Sequence, residues 1–154
     1  MKILLAVDGS SYSADAAGAV ASHSWPPDTI VKVLMAVEAI IPTWPDGWFS
    51  FGGSETLELV RQEMTKQAKQ VVTDVAQTMP ADGPAVETAV IFGDPRSVII
   101  DYAEEWSADL VVIGSRGLTG LKRLVLGSVA QSVVSHAPCS VAVVRKKRLP
   151  DELS

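Results

Sequence analysis

Apolar residues along the chain follow two patterns: short unbroken runs, and positions that recur every three or four residues. The runs are Ile3 to Val7, Ile30 to Val37, Leu110 to Ile113 and Ser140 to Val144. Val86 to Phe92 alternates in part and reads as a further strand. Runs of this length, bounded by turn residues, predict strands buried on both faces. Helical patterns lie between them. Ser10 or Ser11 caps a helix through the alanine-rich stretch to about His23, and Trp25-Pro26-Pro27 breaks it. Leu57, Val60, Met64, Ala68, Val71, Val75 and Met79 predict an amphipathic helix of about six turns, with Ser54 as N-cap and Pro80 at its end. Asp94 and Pro95 supply the N-cap and first position of a third helix, which buries Ile99, Ile100, Ala103 and Trp106. Ser128 to His136 predicts a short fourth helix with Val129, Val133 and Val134 inward, stopped by Pro138.

The resulting order is βαβαβαβαβ. Helices alternating with apolar strands imply an α/β fold: one doubly wound, five-stranded parallel sheet with helices on both faces. In such sheets ligands sit beyond the carboxyl ends of the strands, where the strand order reverses. An order of 3-2-1-4-5 puts that reversal between the first and fourth strands, which end at Asp8 and Gly114. The fourth run stops at Gly114 and opens a Gly-rich, basic loop that reaches Gly127-Ser128 at a helix start. Strand, glycine loop and helix N-terminus in that order form a phosphate cradle, because loop and first-turn N–H groups can converge on one anion. Glycine there permits positive φ and close approach of a ligand to the backbone. Glycines alone prove little, since turns use them constantly; the convergence with Asp8 gives the site its weight.

One stretch fits neither pattern. Glu38 to Ser54 carries Pro42, Trp44, Pro45, Trp48, Phe49 and Phe51 without helical or strand period, and reads as a long loop. Its aromatics suit packing on a neighbouring helix or subunit, or a contact surface in an interaction module.

Composition narrows the function. The chain has 154 residues, 47% of them apolar and 20% charged, as expected for a single globular domain. The formal net charge of −5 argues against a general nucleic-acid binder. A single cysteine, Cys139, fits a reducing compartment. No signal-like segment opens the sequence and no apolar stretch reaches the roughly 18 residues of a membrane span, so a cytoplasmic location away from membranes is expected.

These residues resemble the universal stress protein family, in its ATP-binding branch, whose nucleotide motif is G-x2-G-x9-G-(S/T). Gly114-Ser115-Arg116-Gly117, nine intervening residues, and Gly127-Ser128 match both spacings. The flanks Ile3-Leu4-Leu5-Ala6-Val7-Asp8-Gly9-Ser10, Gly93-Asp94-Pro95 and His136-Ala137-Pro138-Cys139-Ser140-Val141 are similar too. The resemblance implies the 3-2-1-4-5 strand order of the adenine nucleotide alpha-hydrolase-like fold over residues 1–148; the charged C-terminal end, 149–154, reads from its own residues as a flexible tail. It implies ATP or another adenine nucleotide as ligand, and a homodimer pairing through Ser140 to Val144. Position by position, Asp8 would bind the ribose hydroxyls, and Ala6, Val7 and Ala36 would line the adenine pocket. Gly114, Gly117, Gly127 and Ser128 would hold the phosphates, with N–H groups from Val129 and Ala130. Mg2+ would bind through the phosphates, for which the chain offers no clear ligand of its own. Arg116 stands where the family often has a small polar or imidazole side chain; it can reach a phosphate or lie in solvent.

Simpler roles stand beside these. Asp8 can cap its own turn, Ser128 can be an ordinary N-cap, and Lys122 and Arg123 suit a solvated loop face. Cys139 reads as an inert, partly buried thiol, and His23 and His136 as structural. No Walker-type or metal-ligand spacing occurs, and no general base is aimed at a γ-phosphate, which efficient hydrolysis requires. A regulatory, stress-responsive binder is therefore expected. A slow ATPase or phosphotransferase using Ser128 or Thr119, and a nucleotide-free module using the 38–54 loop, are the alternatives.

Overall fold

The computed structural model describes residues 1–38, 53–117 and 126–146. The aromatic stretch after Glu38, Thr119, Lys122, Arg123 and the C-terminal tail lie outside the described residues. Nine elements follow in sequence: β1 (Lys2–Val7), α1 (Ser11–Ser22), β2 (Ile30–Val37), α2 (Gly53–Gln77), β3 (Ala85–Phe92), α3 (Pro95–Glu105), β4 (Leu110–Gly114), α4 (Ser128–His136) and β5 (Ser140–Val144). The five strands form one sheet in the order β3-β2-β1-β4-β5, with every neighbouring pair parallel.

β1 anchors the sheet. Ile3 to Val7 are all buried, and each fully buried Ile or Leu contributes about 1.5–3 kcal/mol. Successive strand side chains point to opposite faces, and two cores follow. Ile3, Leu5, Val7, Val31, Val33 and Val112 pack with Ala16, Ala17 and Val20 of α1 and Val72 of α2. Leu4, Ala6, Leu34, Val111 and Ile113 pack with Ile99 and Ala103 of α3 and Ala130 and Val133 of α4. One helix pair thus covers each face.

Three helical expectations are corrected. Ser54 falls inside α2, as its second residue, and not at the position before its start. The apolar stripe of α2 is buried only in its later turns: Ala68 and Val72 are buried, as is Met79 just beyond the helix end at Gln77, whereas Leu57 and Val60 are exposed, as is Leu59 at 65%. A helix of 25 residues is about 37 Å long, whereas eight-residue β2 spans about 26 Å. The first turns of α2 therefore overhang the carboxyl edge of the sheet. Arg61 marks the level of that edge, lying 4.8 Å from the ring of Phe92, the last residue of β3. In α4, Val134 is 49% exposed. Ala130 and Val133 form the inward face instead, because a nine-residue helix beside an edge strand has only a narrow strip of sheet to cover.

Cys139 is half-buried against the second core. Burial pushes its thiol above the ordinary value, and a hydrogen bond from the Val111 backbone offsets this only in part.

Candidate functional site

The sheet splits at the end of β1. Ala6 pairs with Ile113, the last pairing between β1 and β4. One residue further on, Val7 pairs with Met35 of β2 and Gly114 pairs with Val144 of β5. The two central strands turn to opposite neighbours, and a cleft opens between their tips.

Local sequence shapes both walls. After Val7 the chain reverses through Gly9, whose φ of +79° is strained for any residue with a side chain. Asp8 stabilises this turn: its Oδ1 accepts the Ser10 N–H at 2.9 Å. Ser10 then caps α1, its Oγ accepting the Ser13 N–H at 3.2 Å. Asp8 thus does fill the capping role allowed by the sequence, and its other oxygen is turned toward the glycine loop. A Cβ built on Gly117 would stand 2.9 Å from Asp8 Oδ2. On the opposite wall, Gly114 lies so close to the first turn of α1 that a Cβ there would meet the Tyr12 carbonyl oxygen at 2.5 Å.

The far side of the loop returns to the same place. Gly127 N–H donates to Ser115 O at 2.8 Å, clamping the end of the loop to its beginning. A Cβ on Gly127 would stand 3.2 Å from Arg116 Cα. Gly127, with φ −60°, is the N-cap of α4 and contributes no side-chain cap. Ser128 is therefore the first helical residue and not the cap. Close approach, rather than positive φ, is the reason for glycine at 117 and 127, since neither is among the positive-φ residues. By helix geometry the N–H groups of Ser128, Val129 and Ala130 have no intrahelical acceptor, and the helix dipole adds positive potential at the same point.

Every residue proposed for the site from the sequence borders one open cleft containing a cavity of about 180 Å³. Ala6, Val7 and Ala36 line it from β1 and β2, with Asp8 at the tip of β1. Gly114, Arg116 and Gly117 line it from the start of the loop, and Gly127, Ser128, Val129 and Ala130 from α4. The short side chains at 6 and 36 leave the space open. The cleft also includes Ser13, Pro95, Ile99, Ile113 and Leu126, which sequence reading did not place there. Pro95 and Ile99 wall it from the N-terminal turns of α3. The Asp94-Pro95 helix start was visible in the sequence, but its position over the crevice depends on the α3 crossover and carries no local signal.

The cleft has an apolar end, formed by Ala6, Ala36, Pro95, Ile99 and Ile113, and a donor-rich end at α4, with Asp8 present as a hydrogen-bond acceptor. A flat apolar group joined to hydroxyls and an anion matches that distribution of chemistry. Among the described residues, no group of three or more His, Cys, Asp or Glu side chains is placed to hold a metal ion. No helix among them is long and apolar enough to cross a membrane.

Known proteins share this fold. The universal stress protein family matches residues 1–145. Universal stress protein YxiE of Bacillus subtilis is 30% identical over 145 residues, covering 94% of this chain and 98% of its own. The structure of universal stress protein UspA from Lactobacillus plantarum superposes with a TM-score of 0.75 at 25% identity, covering 94% of this chain and 97% of the other. A universal stress protein family member from Arabidopsis thaliana, solved with AMP bound, shares the fold at a TM-score of 0.60 and 22% identity, over 99% of this chain and 94% of its own.

Proposed function

Because the chain belongs to the universal stress protein family, we propose that it binds an adenine nucleotide, foremost ATP, in the cleft between β1 and β4. One observation carries this reading: an α4 N-terminus without a side-chain cap opens onto the same cleft as the Asp8 carboxylate. The AMP found in the Arabidopsis relative supports it. The base lies against Ala6, Val7 and Ala36, with Pro95 and Ile99 as the opposite wall. Asp8 accepts hydrogen bonds from the ribose hydroxyls, and charge-assisted bonds of this kind are about twice as strong as neutral ones. The phosphates take the N–H groups of Gly117, Val129 and Ala130 and the hydroxyl of Ser128. Mg2+ is held by the phosphates, where it supplies neutralising charge.

The protein acts by binding and signalling its nucleotide state. Among the described cleft residues, the one carboxylate is Asp8, committed to its own turn and to the ribose; none is a base poised at a terminal phosphate. The edge strand Ser140–Val144 pairs with its copy in a homodimer. Titration with MgATP in a thermal-unfolding experiment tests the binding. At a hundredfold excess over Kd, binding stabilises by about 2.7 kcal/mol, a rise of about 5–10 °C for a domain of this size. No rise at millimolar nucleotide rejects the proposal. Sedimentation equilibrium tests the assembly, and a monomer at micromolar concentration rejects the dimer.

A further inference from the structure

Tyr12 is the second residue of α1 and does not itself line the cleft. Its ring lies 5.7 Å from the guanidinium carbon of Arg116, which does line it. The two reach each other from different elements: Tyr12 from the first turn after β1, Arg116 from the loop that follows β4. Their relative position is fixed by backbone, because Gly114 packs directly against the Tyr12 carbonyl and Ser115 is tied to Val144 at one end and Gly127 at the other. Among the described residues the ion pairs are Lys32–Glu87 and Arg96–Asp94, and Arg116 belongs to neither. A guanidinium resting on an aromatic face keeps its charge and its donors while giving up much of the rotamer freedom that a ligand would otherwise have to remove.

We infer that the Tyr12–Arg116 pair makes this cleft a counter of phosphate charge, with Arg116 contacting the outer phosphates and Tyr12 positioning it, so that affinity rises from AMP to ADP to ATP. The inference rests on the nucleotide reading of the cleft. The amides of α4 serve the phosphates nearest the ribose in all three ligands. A planar guanidinium forms paired bonds only with additional phosphate oxygens, and so rewards the longer ligands. Tyr12 contributes a π face and no hydroxyl chemistry, so phenylalanine serves as well as tyrosine and an aliphatic residue does not.

Isothermal titration with AMP, ADP and ATP on the full chain tests this. The wild type is expected to bind ATP about tenfold tighter than AMP, with the advantage shrinking as salt rises. Arg116→Ala should cost ATP about tenfold and AMP less than threefold, flattening the series. Arg116→Lys keeps a charge but not the paired donors and should fall between. Tyr12→Leu should cost ATP about threefold, with little further effect once Arg116→Ala is present, while Tyr12→Phe matches the wild type. Equal losses for ATP and AMP in Arg116→Ala, no loss at all, or additive effects of Tyr12→Leu and Arg116→Ala overturn the inference while leaving the nucleotide site standing. A wild type that binds none of the three overturns both.

Discussion

At the amino edge of the sheet, Lys2 and Lys32 both lie over the Trp106 ring, with their ammonium groups 5.5 and 5.4 Å from its centre. Lys2 Nζ also donates to Trp106 O at 3.1 Å, its backbone N–H donates to Asp109 Oδ2 at 2.7 Å, and Lys32 pairs with Glu87. At the carboxyl edge, Asp8, Arg116 and the N-terminus of α4 surround open space instead. Both edges gather charge at strand ends. At the amino edge, each described cation has an aromatic or anionic partner from the protein itself. At the carboxyl edge, the α4 donors look outward, and an exogenous anion is the partner that matches them. The contrast teaches that backbone donors left over at a helix start, more than the number of charged side chains nearby, distinguish the two edges.

Substitutions at each edge should therefore fail differently. Gly127→Val gives the largest effect expected: the side chain enters the cradle beside Arg116, and nucleotide binding should fall at least a hundredfold, about 2.7 kcal/mol. Its φ suits any residue, so circular dichroism should show a folded protein; retained ATP affinity would show the phosphates to lie elsewhere. Trp106→Ala is the mirror experiment at the amino edge. Full truncation of a core aromatic costs about 3–5 kcal/mol; Trp106 is half-buried, so a loss of about 2–3 kcal/mol in urea unfolding is expected, with nucleotide affinity unchanged. An affinity change as large as that of Gly127→Val would erase the distinction between the edges. Asp8→Asn keeps an oxygen to accept the Ser10 N–H but removes the charge, so stability should hold while affinity drops about tenfold. A melting shift without an affinity change would leave Asp8 only its turn-capping role.

The smallest effect belongs to Glu87→Gln. Glu87 hydrogen-bonds the Lys32 ammonium and raises its pKa above the ordinary 10.5, a shift that burial opposes and Tyr102 reinforces. The Glu87 side chain is 53% exposed, so the pair contributes less than about 1 kcal/mol. Because the folded-state value is raised, that contribution is complete below pH 10.5 and is lost as pH climbs through the raised value. Urea midpoints of wild type and variant should differ slightly at pH 8 and converge once the pH exceeds the raised Lys32 value. A gap that widens with alkalinity would contradict the assignment.

The sequence shows some of these features more plainly than others. The strands are plain because residues buried on both faces must be apolar throughout, as Ile3 to Val7 are. The cradle is plain because the glycines at 114, 117 and 127 sit where backbone or carboxylate approaches within van der Waals distance. Periodicity reveals which residues of α2 share a face, but not where the sheet beneath them ends; Leu57 and Val60 follow the stripe and are exposed all the same. Val134 fails for the same reason. Pro95 and Ile99 were readable as helix residues but not as cleft residues, because only the crossover brings α3 over the gap. Tyr12 gives no signal at all, since its partner Arg116 is distant in sequence and meets it only once β1 and β4 are adjacent.

The central place of β1 bears on how the protein comes into being. As the chain leaves the ribosome, β1 can pair with β2, and β2 with β3, while synthesis continues. The partner on its other side, β4, aligns Ile3 with Leu110 and arrives only near the end. Joining strands so far apart carries a large loop-closure entropy, and such contacts form late. The crevice does not exist in the nascent intermediate, so a ligand specific to it stabilises finished molecules alone.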